Sequence, residues 1–237
     1  MEADATRVAV IRANLPRIEE RIERAVGRAG RRREAVTLVA VSKTFPADAI
    51  RVAYEAGLRH FGENRVQEWE SKRPHLSDLN ITMHLVGHLQ SNKARRAAQL
   101  FHRVDSVDSA AVAQKLDAAE SLLQPHLGVL IEVHLGNEET KSGVAENDLP
   151  PLADALVKFS RLELLGLMTV PPFLADAQKV RPYFTKLREL RDDLSARIGR
   201  SLPVLSMGMS NDFEVAIEEG ATEIRIGTAL FGSRPAA

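Results

Sequence analysis

Eight short stretches with strand character alternate with helical segments along this chain of 237 residues. The first, "VTLVAVSK", is continuously apolar, which is typical of a strand covered on both faces, and such strands are usually parallel. The segments between them carry helix signals, such as Pro46 and Gly57 at the two ends of "PADAIRVAYEAG". The alternation therefore predicts strands over residues 36–43, 60–64, 82–87, 103–108, 126–136, 162–170, 202–208 and 222–227.

Strict β, α, β alternation implies a parallel sheet with right-handed crossovers. Eight such units close a (β/α)8 TIM barrel, and we expect residues 1–237 to form this one domain. Apolar residues recur every three or four positions from Thr6 to about Gly27, which predicts an additional N-terminal helix. Only "TALFGSRPAA" follows the eighth strand, so this helix is expected to cover the gap left there.

The composition excludes several classes of function. The chain has 32 basic and 32 acidic residues, so no bulk field favours nucleic acid or an anionic membrane. Cysteine is absent, which removes disulfides, thiolate zinc sites and thiol nucleophiles. No apolar run approaches the roughly 20 residues of a spanning helix, and the first residues show no signal peptide. We therefore expect a cytoplasmic protein.

The loops after the last two strands have the features of a phosphate site. In β/α barrels the chemistry lies at the carboxyl ends of the strands, and phosphate usually binds after strands seven and eight. "SMGMSNDFE" places small polar residues before a helix, whose N-terminus favours an anion, and "RIGTALFGS" follows strand eight. The alternative is that Ser210 or Asn211 is an ordinary N-cap, with Glu214 as the capping-box partner of Asn211.

Lys43 ends the first predicted strand, which barrel closure makes a neighbour of the eighth. Partial desolvation and the nearby charge of Arg225 should lower the pKa of Lys43 and expose a nucleophilic amine. Such an amine can form an imine with an aldehyde whose phosphate rests in the last two loops. The alternative is a solvated lysine at a strand end.

Arg225 shares a strand face with Gly227 and is placed to reach a ring nitrogen of a bound cofactor. A guanidinium only donates hydrogen bonds, so the nitrogen opposite must stay an unprotonated acceptor, which makes the ring a poorer electron sink. The alternative is a salt bridge to Glu223 or to another acidic residue at a strand end. His84 and His88 are not expected to share a metal ion, because four strand residues span roughly 13 Å. Lys141 is expected in a mobile loop over the barrel mouth.

Several stretches resemble one known family, the pyridoxal 5′-phosphate homeostasis proteins, often called the YggS/PROSC family. They are "AVSKTFP", "HFGENRVQE", "HLVGHLQSNK", "VDSVDS", "EETKSG", "GLMTVPP", "LSMGMSNDFEVAI" and "EIRIGTALFG", in the family's order over nearly the whole chain. The resemblance implies a barrel like the N-terminal domain of alanine racemases. It also implies that pyridoxal 5′-phosphate (PLP) is bound as an internal aldimine and that the protein maintains the supply of PLP and vitamin B6.

The resemblance implies a role for each residue of the site. Lys43 would be the imine lysine, Asn64 would lie beside the ring, and Arg225 would face the pyridine nitrogen. The phosphate would be held by Ser206, Met209, Ser210, Gly227 and Thr228.

The same resemblance implies no established catalytic turnover, and no catalytic residue or metal is predicted. We expect a monomer that binds PLP and transiently binds PLP-dependent apo-enzymes. One alternative is a single-domain PLP-dependent racemase, which needs a second acid/base group opposite the lysine. The only tyrosines, Tyr54 and Tyr183, fall in predicted helices. A further alternative is an aldolase acting on a sugar phosphate.

Overall fold

A computed structural model describes residues 2–136 and 142–233, and the side chains from residue 8 onward. The strands are β1 Thr37–Val41, β2 His60–Glu63, β3 Thr82–Leu85, β4 Arg103–Val107, β5 Leu127–Glu132, β6 Leu162–Met168, β7 Val204–Ser206 and β8 Glu223–Ile226. The helices are α1 Glu2–Arg28, α2 Ala47–Glu55, α3 Val66–Lys72, α4 Ala94–Leu100, α5 Ala110–Asp117, α6 Leu149–Leu156, α7 Arg181–Ile198, α8 Phe213–Glu218 and α9 Thr228–Phe231.

The eight strands form a closed parallel barrel in chain order, which confirms the predicted (β/α)8 fold. Closure occurs where β1 pairs with β8, with Val39 opposite Arg225 in the register. Each observed strand stops before the end of its predicted stretch, and the remaining residues begin the loops at the carboxyl end of the barrel. Residues 43 and 227 therefore both follow the ends of the paired strands β1 and β8 at this end of the barrel.

Helix α1 covers the barrel beside β8, as its sequence pattern predicts. Its apolar face is buried, with Ile11 and Ile22 fully enclosed. It packs against α8 and α9. The amide of Asn14 donates to the carbonyl of Leu230, and Arg21 pairs with Glu214 at 2.8 Å. Within residues 2–136 and 142–233, every helix is too short or too polar to traverse a bilayer.

The barrel interior contains a layer of charged side chains from β3, β4 and β8. Arg103 on β4 contacts Glu223 on β8 at 2.9 Å, and these strands are not neighbours, so the two side chains meet across the interior. Arg103 also contacts Asp105, which accepts a hydrogen bond from His84. All four side chains are nearly or fully buried. Opposite charges within this layer compensate one another, which is what makes their burial tolerable.

Candidate functional site

A cleft of about 450 Å³ opens at the carboxyl ends of the strands, within the size range of small-molecule sites. The residues that line it come from many separate segments of the chain, which only barrel closure brings together. Those predicted from sequence are Lys43, Asn64, Met209, Ser210, Arg225, Gly227 and Thr228. Ser206 is buried and does not line the cleft, but its hydroxyl oxygen lies 2.7 Å from Nη1 of Arg225.

Lys43 follows the last residue of β1 by two positions and is half-buried in the wall of the cleft. The next residue, Thr44, has φ 70°, the one positive φ recorded for a residue other than glycine among those described. Its backbone N–H donates to the carboxylate of Glu68 on α3. Lys43 therefore precedes a locally strained residue, whose conformation is fixed by a contact with α3.

Arg225 on β8 projects into the cleft from the closing strand pair. Its Nη1 donates to Ser206 Oγ at 2.7 Å and its Nη2 donates to the carbonyl of Thr169 at 2.8 Å. Burial lowers the pKa of Arg225 from its ordinary value, although a guanidinium remains a cation near neutral pH. The alternative salt bridge to Glu223 is wrong, because Glu223 instead pairs with Arg103.

The loops after β7 and β8 contact each other directly. The backbone N–H of Ala229 donates to the hydroxyl of Ser210 at 3.2 Å, so the two predicted phosphate loops share one side of the cleft. The capping-box alternative is wrong, since α8 has Asp212 at its N-cap and Glu214 pairs with Arg21. The side chain of Asp212 accepts the N–H of Met209, so this N–H already has a partner in the protein.

Two carboxyl groups of the cleft were missed by sequence reasoning. Glu132 ends β5 and is 5% exposed, and the hydroxyl of Ser142 donates to its Oε1 at 3.0 Å. Burial raises the pKa of both Glu132 and Asp212. The only hint in the sequence was the position of Glu132 within the fifth predicted strand, where a charge interrupts an apolar run.

Asn64 follows β2 and is packed closely against Gly87, which follows β3. A Cβ atom at Gly87 would lie 2.4 Å from the Asn64 carbonyl oxygen, so only glycine allows the two segments to approach this closely. The neighbouring His88 also lines the cleft, and its Nδ1 lies 3.2 Å from Asp108. The backbone approach at Gly87 therefore fixes the place of Asn64 at the site.

Other candidates lie elsewhere. His84 is inside the barrel, where possible ligand atoms of His84, Asp105 and Glu223 lie within 4.8 Å of one another. The guanidinium of Arg103 contacts both carboxylates and supplies a positive charge there. His88 is at the rim, so the two histidines occupy separate environments. Lys141 lies outside the described residues.

The donor set of the cleft suits a phosphate-bearing aromatic aldehyde. Lys43 provides a primary amine, Arg225 provides a buried cationic donor, and the hydroxyls of Ser210 and Thr228 stand on the two adjoining loops. The amine can react with an aldehyde, and the two hydroxyls can bind phosphate oxygens. The residues present therefore fit PLP.

Residues 13–235 match the family model described as alanine racemase, N-terminal domain. A relative from Aquifex aeolicus named "Pyridoxal phosphate homeostasis protein" is 48% identical, and the alignment covers 93% of this chain and 96% of the relative.

Two solved structures show how far the likeness extends. PipY of Synechococcus elongatus, described with PLP bound, is 42% identical with a TM-score of 0.78, covering 84% of this chain and 93% of PipY. An alanine racemase from Clostridium difficile is 16% identical with a TM-score of 0.74, covering 96% of this chain and 58% of the racemase, so it shares the fold alone. The chain belongs to the family of pyridoxal phosphate homeostasis proteins, within the group that has the alanine racemase N-terminal domain fold.

Proposed function

We propose that this protein binds PLP reversibly in the cleft and helps to maintain the cellular supply of the cofactor. The observation that carries the proposal is the convergence of Lys43, Arg225 and the two contacting loops on one cleft. The PipY structure described with PLP bound, at 42% identity, supports the choice of ligand. When bound, PLP supplies an aldehyde that condenses with amines.

In this proposal each residue has a distinct task. Lys43 would provide the amine that condenses with the aldehyde, whose oxygen would leave as water. Arg225 donates to the ring nitrogen and keeps it unprotonated, with its guanidinium held by Ser206 and Thr169. Asn64 lies beside the ring, and Met209, Ser210, Gly227 and Thr228 surround the phosphate.

The proposal includes binding without catalytic turnover. Relatives are named homeostasis proteins, and two-base proton transfer needs a second group opposite the lysine. The tyrosines do not supply this group, since Tyr54 and Tyr183 lie on α2 and α7 and neither lines the cleft. The carboxyl groups of Glu132 and Asp212 do line it, and the α-hydrogen exchange assay below tests whether either acts as a second base. A monomeric, cytoplasmic carrier that passes PLP to apo-enzymes is the form of the function that we propose.

The test is chemical trapping of PLP on the purified protein. The protein should be yellow, and borohydride should fix the cofactor to Lys43, as shown by peptide mass spectrometry. Lys43→Ala should abolish trapping and leave the circular dichroism spectrum unchanged, whereas the control Lys93→Ala should trap like the parent. Trapping that persists in Lys43→Ala would refute the assignment.

Two further assays test the rest of the proposal. Transfer of PLP from the loaded protein to an apo-enzyme measures the carrier role, and failure to transfer would contradict it. Incubation with amino acids in deuterated water measures exchange of the α-hydrogen. Rapid exchange would favour the racemase alternative.

A further inference from the structure

A buried ionic cluster supports the strand end that carries Lys43. The ammonium of Lys72 lies 2.7 Å from Oε1 of Glu63, 2.7 Å from Oε1 of Glu68 and 3.0 Å from the carbonyl oxygen of Ser42. The hydroxyl of Ser42 also donates to Glu63 at 2.7 Å. Lys72 is 8% exposed and Glu63 is fully enclosed, so water competes little for these contacts. The three donors of the ammonium each have an acceptor.

The cluster holds the residues on both sides of Lys43. The carbonyl of Ser42 accepts from Lys72, and the N–H of Thr44 donates to the Glu68 carboxylate that Lys72 also contacts. Thr44 has φ 70°, a value that a β-branched residue rarely adopts. A backbone in this region persists only where surrounding contacts impose it. The contacts that do so here come from α3.

We propose that Glu68 and Lys72 are positioning residues that orient Lys43 toward the cleft by fixing Ser42 and Thr44. This inference rests on the proposed function, because it assigns them to the lysine that binds PLP. The backbone angles at positions 42 and 44 set where the chain leaves β1. The cluster thus determines the fraction of time for which the amine of Lys43 points into the cleft, where it can react with an aldehyde.

Glu68→Ala tests the proposal without leaving Glu63 unpaired, since the Lys72–Glu63 contact remains. We expect the rate at which PLP becomes borohydride-trappable to fall by about tenfold, the scale of one hydrogen bond to a charged group. The matched control is Glu70→Ala on the same helix, because Glu70 is exposed and binds Arg96. It should load at the parental rate.

Two more comparisons of variants separate positioning from a merely structural role. Glu68→Gln keeps a side-chain oxygen that can accept the Thr44 N–H, so it should restore most of the loading rate. Glycine adopts positive φ readily, so Glu68→Ala should slow loading less in a Thr44→Gly background. Two results would overturn the proposal. One is that Glu68→Ala and Glu68→Gln slow PLP loading equally, and the other is that Glu68→Ala slows loading equally in the parent and in the Thr44→Gly background.

A measurement on the protein without PLP completes the test. Hydrogen exchange of the Thr44 amide, followed by NMR, should be slow in the parent and in Glu70→Ala, and fast in Glu68→Ala. Equal exchange in the three proteins would overturn the proposal. Normal trapping by the parent together with unchanged loading in Glu68→Ala would reject the positioning role and keep the proposed function. No trapping by the parent would reject both.

Discussion

Replacing Arg103 with methionine should destabilise the barrel by about 3–5 kcal/mol at pH 7, the cost of removing one partner from a buried ion pair. Arg103 contacts Asp105 and Glu223, each at 2.9 Å. These carboxylates are 0% and 2% exposed, so methionine fills the volume but leaves two buried charges without their cation. The change lies at the opposite end of the barrel from the rim loops, and it tests the charged interior without altering any residue that lines the cleft.

The measurement is thermal unfolding followed by circular dichroism. For a domain of this size 1 kcal/mol corresponds to about 2–4 °C, so Tm should fall by about 6–20 °C. Arg51→Met is the matched control, since Arg51 forms its 2.7 Å ion pair with Asp78 at the surface. Water screens such a pair, and Tm should stay close to the parental value.

The pH dependence gives the sharper test. Burial alone would raise the pKa of Asp105, but Arg103 and His84 override it and hold the pKa well below its usual range. A carboxyl group whose pKa is lower in the folded than in the unfolded chain stabilises the fold at pH values above its unfolded pKa of about 3.9. This stabilisation is lost as the pH falls. In Arg103→Met the guanidinium that lowers the pKa of Asp105 is missing, so the effect of burial dominates and Asp105 takes up a proton at a higher pH. The Tm gap between parent and variant should therefore narrow from pH 7 to pH 4.5. A gap of constant size, or a Tm loss no greater than in Arg51→Met, would refute this account.

Three further predictions concern the cleft. Gly87→Ala should cost about 1–3 kcal/mol of folding free energy and weaken PLP binding in a titration, because its Cβ would lie 2.4 Å from the Asn64 carbonyl oxygen. Arg225→Gln should shift the absorbance maximum of bound PLP, and an unchanged spectrum would count against its placement at the ring. Burial raises the pKa of Glu132, so the ionised carboxylate destabilises the fold at neutral pH. Relative to the parent, Glu132→Gln should therefore gain Tm as pH rises from 4 to 8, and equal pH profiles would contradict this.

The fold followed from the sequence because alternation and strand number are local properties. Continuous apolar strands separated by capped helices leave few arrangements, and eight units close a barrel. Closure then places strand ends that are far apart in sequence on one rim. For this reason the sequence alone predicts one site for Lys43, Arg225 and Gly227, and in the structure all three line the same cleft.

The charged interior could not be predicted in the same way. Arg103 and Glu223 are separated by 120 positions, and their contact depends on which face of each strand turns inward. Charged and apolar residues alternate in β4 and β8, but in a sheet covered on both faces this alternation does not say which set points into the barrel. Glu68 and Lys72 did carry a local signal, since acid and base four residues apart on a helix often pair. Their role at the strand end also depends on Ser42 and Thr44, which the helix pattern cannot reveal.

Barrel closure joins the stability of this protein to the geometry of its cleft. In an open sheet of the same strand order, β1 and β8 would be opposite edges, with Lys43 and Arg225 on separate sides of the molecule. In the closed barrel Val39 pairs with Arg225, and the residues beyond them necessarily share one rim. The interior layer of Arg103, Asp105 and Glu223 links β4 to β8 across that barrel. The buried charges thus help to keep the strands that carry the cleft residues in register, although none of the three lines the cleft.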